Sequence, residues 1–214
     1  MLSAVLLTLH IGAGSVALVT AVIAVFTSKG QKWHVRSGRV YAIGMTLVFL
    51  TAIPLALLGA SIFLLLIAFF SFYLVFAGWR FARNRRGIPH AVDWASTAIM
   101  LTTGLGMGVY AGVLFSSGDS QWVTMSLFAG IAVALGVADG LYHRLRRATG
   151  GRRISRHLTN MLAGTIATVT AVLVVNVETN PPWIAWILPT VVITPFIVWW
   201  NIRTGLQYRS ARQG

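Results

Sequence analysis

Residues 41–80 read YAIGMTLVFLTAIPLALLGASIFLLLIAFFSFYLVFAGWR, with no charge before the final arginine. As one helix rising 1.5 Å per residue this block would be about 60 Å long, roughly twice the hydrocarbon thickness of a bilayer. It must turn back, and the small residues of LLGAS at 57–61 mark where. Two adjacent membrane spans follow from that single turn. The remaining chain has the same character: of 214 residues, 57% are hydrophobic and 10% charged, where a soluble domain carries about 25% charge.

Runs of similar length predict helices at about 4–26, 40–58, 60–82, 95–117, 122–143, 158–177 and 183–203. The fold class is therefore all-α, a polytopic membrane protein of seven transmembrane helices forming one domain over 1–214, with no soluble domain. The opening MLSAVLLTLH lacks the basic n-region of a signal peptide, so the first run is expected to be a retained span.

Net charge is +13, which invites a nucleic-acid reading, but the cations sit where membrane topology places them. Lys29, Lys32, Arg36 and Arg39 follow the first span. Arg80, Arg83, Arg85 and Arg86 follow the third. Arg144, Arg146, Arg147, Arg152, Arg153 and Arg156 follow the fifth, and Arg203, Arg209 and Arg212 follow the seventh. The connections GAS, SSGDSQ and ETNPPW hold none. The excess of positive charge on alternate connections predicts an outer N-terminus and a cytoplasmic C-terminus in the cell's plasma membrane. The partners expected are the lipid bilayer with anionic lipids at its cytoplasmic face, and possible neighbours in a larger membrane complex; nucleic acid is not expected. Trp33, Trp79, Trp94, Trp122, Trp183, Trp199 and Trp200 lie near span ends, as interfacial aromatics do.

With no cysteine, thiolate chemistry and Cys-ligated metals are excluded. The chemical repertoire reduces to five histidines and four carboxylates. His34, His90, Asp93, His143 and His157 all fall at the cytoplasmic ends of spans. Asp139 precedes His143 by four residues on the same helical face, about 6 Å deeper, and Asn160 is expected at similar depth. An ionisable group inside hydrocarbon costs a few kcal/mol or more, so Asp139 is a functional candidate. The structural alternative is an ion pair with Arg80 or Arg144. His10 stands apart, about 9 Å below the outer surface, where Tyr110, Thr51 or Thr190 offers a hydroxyl. Gly104, Gly108 and Gly112 recur every four residues and predict close helix packing. Asp119 and Glu178 lie in outer connections and are expected to be solvated.

KWHVRSGRVY at 32–41, after a first span bearing LHIGAGSVAL, resembles the His-x-x-x-Gly-Arg-x-Tyr signature of a bacterial predicted-membrane-protein family of unknown function. RHLTNMLAGTIATVTAVLVVN at 156–176 resembles that family's later segment. The resemblance covers most of the chain, implies a shared polytopic architecture and singles out His10, His34, Gly38, Arg39, Tyr41 and His157. It carries no activity.

Four functional classes fit these residues. A redox protein would hold one haem b between His143 and either His90 or His157, with His34, Arg36 and Arg39 toward the propionates. A Zn or Fe site, redox or hydrolytic, would draw on His90, Asp93, Asp139, His143 and His157. A proton-coupled transporter without cofactor would use Asp139 and His10, although uncharged span centres weigh against a hydrophilic substrate. A structural subunit of a membrane complex would need none of them for chemistry. The haem- or metal-binding redox class is the leading expectation.

Overall fold

The computed structural model describes residues 1–146 and 148–210, with side chains to Gly205. Of the basic clusters, Arg147, Arg212 and the side chain of Arg209 lie outside the described residues. Among these residues the chain forms α1 (Leu2–Phe26), α2 (Lys32–Leu58), α3 (Ile62–Arg83), α4 (Ala91–Ser116), α5 (Trp122–Arg144), α6 (Gly150–Asn176) and α7 (Trp183–Ser210). All seven are long and apolar enough to cross a membrane, as befits a multi-pass membrane protein.

Three helices are longer than expected by about two turns. α2 starts at Lys32 rather than 40, α6 at Gly150 rather than 158, and α7 continues to Ser210 rather than ending at 203. Hydropathy marks the hydrocarbon, whereas arginine and lysine are good helix formers whose stems carry a helix on into the headgroups. His34, Arg36 and Arg39 therefore stand on the first turns of α2, not in a loop.

The chain divides into two compact units, with the junction inside α3 after Phe72. In the first, α1 and α2 meet through small residues. A Cβ on Gly44 would lie 3.1 Å from Ala17 Cβ and 3.2 Å from the Ala13 carbonyl oxygen. Lys29 Nζ donates to the carbonyls of Ala24 (2.9 Å), Thr27 (3.2 Å) and Val25, capping α1. Its desolvation there holds the ammonium below the usual lysine range. The expected reversal at 57–61 is present: Ser61 N–H donates to Ala56 O (2.9 Å) and the left-handed residue is Ala60, φ +49°. Phe49 of α2 stacks on Phe72 of α3 at 4.3 Å.

In the second unit, α4 packs on α5 where Gly104 faces Ala132 and Val133, each 3.0 Å from a Cβ built on the glycine. Of the expected stripe, Gly108 is in looser contact and Gly112 faces open space, so the close approach is made at one end. α6 and α7 are tied by Ser155 Oγ donating to Asn201 Oδ1 (2.6 Å) and Asn201 Nδ2 to Thr159 Oγ1 (2.8 Å). The connection 84–90 lies against Ala148 and Thr149: a Cβ on Gly87, at φ +67°, would meet Thr149 Cγ2 at 2.7 Å. Arg153 Nη1 donates to Phe81 O (3.0 Å) and Ala82 O (2.5 Å), satisfying the last turn of α3. This is the basic end of the second unit.

Candidate functional site

Toward that basic end, three helices surround Asp139. α5 brings the carboxylate, α6 brings Arg156 and Asn160 on one face at a four-residue spacing, and α3 brings Tyr73. α3 and α6 come close because Gly78 has no side chain: a Cβ there would lie 2.8 Å from Met161 Cγ and 3.3 Å from Asn160 Cβ.

Asp139 has no exposed surface. Its Oδ2 accepts from Tyr73 Oη (2.7 Å) and Asn160 Nδ2 (3.3 Å). Its Oδ1 accepts from Arg156 Nε (2.7 Å) and is paired with Nη2 of the same guanidinium. Arg156 also lies over the Tyr142 ring, 5.4 Å from its centroid. Both nitrogens converge on one oxygen, so the contact is a charge-assisted hydrogen bond from Nε with Nη2 alongside, not a two-oxygen fork. Two polar atoms in the cluster make no hydrogen bond among the described residues: Arg156 Nη2, which is held only by its charge contact with Asp139, and Asn160 Oδ1. Asn160, wholly buried, uses Nδ2 on Asp139 and on the Arg156 carbonyl (3.1 Å), but its Oδ1 meets no donor among the described residues. A buried acceptor left empty costs about 1–3 kcal/mol, so such an atom calls for a water or a ligand donor.

Asp93 forms a second pair. Arg80 Nε and Nη2 donate to its two oxygens at 2.6 and 2.8 Å, and the His90 backbone N–H donates to Oδ2 at 2.8 Å, a capping box at the start of α4. The sequence alternative that paired Asp139 with Arg80 or Arg144 is thus corrected: Arg80 belongs to Asp93, and the partner of Asp139 is Arg156. The four-residue step from Arg156 to Asn160 was the available signal, obscured because Arg156 reads as one more loop cation. Tyr73 carried no signal, since aromatic residues crowd that run.

No family model, curated protein or solved structure matches this chain.

The histidines have separate surroundings. His143 is buried, its ring stacked on Phe81 (5.4 Å, 11°) and tilted against Trp94 (5.7 Å, 60°). His157 donates Nδ1–H to the Gly78 carbonyl (2.9 Å), and His90 is exposed at the N-cap of α4. In the first unit His34 donates Nδ1–H to the Ala24 carbonyl (3.0 Å), beside exposed Arg36 and Arg39. His10 Nδ1 lies 3.0 Å from Thr51 Oγ1, whose own proton goes to Leu47 O (2.8 Å), so the imidazole is the donor. Thr51 is thus the hydroxyl His10 meets, while Tyr110 stands half-buried on α4. Among the described residues no group of three or more His, Asp or Glu side chains is arranged to hold a metal ion.

Proposed function

We propose that this multi-pass protein is a proton-coupled carrier of small organic anions, with its N-terminus outside and its C-terminus in the cytoplasm. The observation behind this reading is the Asp139–Arg156 pair: a wholly buried carboxylate and a guanidinium inside a membrane-spanning unit, beside an unfilled acceptor on Asn160. Buried pairs of this kind are retained at a cost and mark ion or proton paths. The span centres are uncharged, and the pair supplies charge about 7–8 Å in from the end of α5.

The chemistry is an exchange of partners. While Asp139 is ionised, it holds Arg156. When Asp139 takes a proton, the guanidinium loses its counter-ion, and the carboxylate of an incoming anion replaces it through two N–H donors. Tyr73 and Asn160 keep Asp139 oriented through the change. One proton and one monoanion then move together without net charge.

Uptake of labelled lactate, succinate and phosphate into liposomes carrying the protein, with the outside acidified, tests this. The expected result is acid-driven uptake of at least one organic anion, abolished in Asp139→Asn and in Arg156→Gln. Uptake unaffected by Asp139→Asn would contradict the assignment.

A second reading, a haem- or metal-binding redox protein, draws support from His157. Its Nδ1–H is committed to a backbone carbonyl, the arrangement by which ligating histidines present Nε2. An oxidised-minus-reduced absorption spectrum of the purified protein, with metal analysis, separates the two. A Soret band or stoichiometric metal lost in His157→Ala favours the redox reading; neither being present favours the carrier.

A further inference from the structure

At the basic end of the second unit, Arg80, Arg83, Asn84, Arg85, Arg86 and His90 line an open cleft of about 460 Å³, with Ile88 on its rim. We infer that this cleft binds the phosphate of an anionic lipid headgroup.

The cleft is built rather than incidental. Arg80 is fixed by its two bonds to Asp93, and the Arg83 guanidinium lies over Trp79, 5.0 Å from the ring centroid. Asn84 Nδ2 closes the connection on the Ile88 carbonyl at 2.7 Å. Gly87 seats it against Ala148 and Thr149, where no side chain fits, and Arg153 secures the preceding helix end. Arg85 and Arg86 are exposed and meet no carboxylate among the described residues. Four guanidiniums at the end of α3 and on the restrained connection after it, with one carboxylate paired to them among the described residues, already taken by Arg80, are matched to phosphate oxygens, which arginine holds through paired N–H donors.

The surroundings choose the source of that phosphate. Ile88 (47% exposed) puts apolar surface beside the cations, where a lipid's glycerol and acyl chains would lie. Basic pockets at the ends of transmembrane helices take acidic headgroups in this way. A soluble anion has no use for that apolar rim.

Native mass spectrometry of the full chain, released from detergent after equilibration with equal phosphatidylglycerol and phosphatidylcholine, reads the preference directly. The variant Arg85→Gln/Arg86→Gln removes two cleft cations. The control Arg36→Gln/Arg39→Gln removes two exposed cations from α2. The wild type and the control should retain one phosphatidylglycerol in preference to phosphatidylcholine, and the cleft variant should lose about tenfold or more of that preference. Equal loss in the control would overturn the site in favour of general surface charge, and no loss in either variant would overturn it outright. A parallel titration with inorganic phosphate tests the source. Binding of phosphate that depends on Arg85 and Arg86, without retained lipid, would overturn the headgroup assignment.

Discussion

The two units solve membrane packing in different ways. The first brings α1 and α2 together over Ala13, Ala17 and Gly44, with His10 and Thr51 sharing one hydrogen bond and no ion pair between its described side chains. The second uses small residues too, at Gly78 and Gly104, but encloses two Arg–Asp pairs, a tyrosine and an asparagine. Helices associate in lipid through close van der Waals contact and interhelical hydrogen bonds, and the first unit has both without an ion pair between its described side chains. The charges of the second unit go beyond what the first unit uses, which is why function is sought there.

The largest expected effect comes from breaking the pair. Arg156→Leu leaves Asp139 buried without a counter-ion and should cost about 3–5 kcal/mol, measured by unfolding in mixed detergent micelles. Asp139→Leu/Arg156→Leu should recover most of that loss, because neither charge is then stranded. If the double variant is no more stable than the single one, the pair is holding the unit together, and the contrast between units fails.

Next comes the kind of close glycine contact that each unit makes within itself. Gly78→Val would force a side chain into Met161 and should cost about 1–3 kcal/mol; Gly44→Val, against Ala17, should cost a similar amount. Comparable losses in the same unfolding assay would confirm that both units use one packing principle. A much larger loss at Gly78 would mean that the α3–α6 approach also sets the geometry at Asn160.

Single hydrogen bonds should weigh least. Tyr73→Phe removes a donor from a buried carboxylate and should cost about 1.5 kcal/mol; Thr51→Val removes the acceptor of His10 and should cost about 0.6 kcal/mol. Equal values, again from unfolding, would erase the distinction between a charged and a neutral intramembrane site.

Much of this architecture was legible in the chain. Apolar runs predicted all seven helices, and the block at 41–80 located a turn at 57–61 that the structure contains. The ends of α2 and α6 were not legible, because hydropathy stops at the hydrocarbon while the backbone hydrogen bonds continue through Lys32 and Arg152. Asp139 and Asn160 were readable as polar residues at one depth on adjacent helices. Their partners were not. Pairing depends on which helices adjoin, and spacing along the chain carries little of that. Arg156 was hidden among basic neighbours and Tyr73 among aromatic ones. His34 and His157 were read as candidates by residue type. Each also bonds a backbone carbonyl of another helix through Nδ1, a contact that no linear spacing announces.

The central claim is that Asp139 exchanges a proton while buried beside Arg156. Infrared difference spectra of the reconstituted protein, taken as the pH is lowered, test it most directly. The account predicts a protonated-carboxyl C=O band that is absent in Asp139→Asn and that changes when a carried anion is added to occupy Arg156. A spectrum with no Asp139-dependent band at any pH where the protein stays folded, with or without anion, would contradict it.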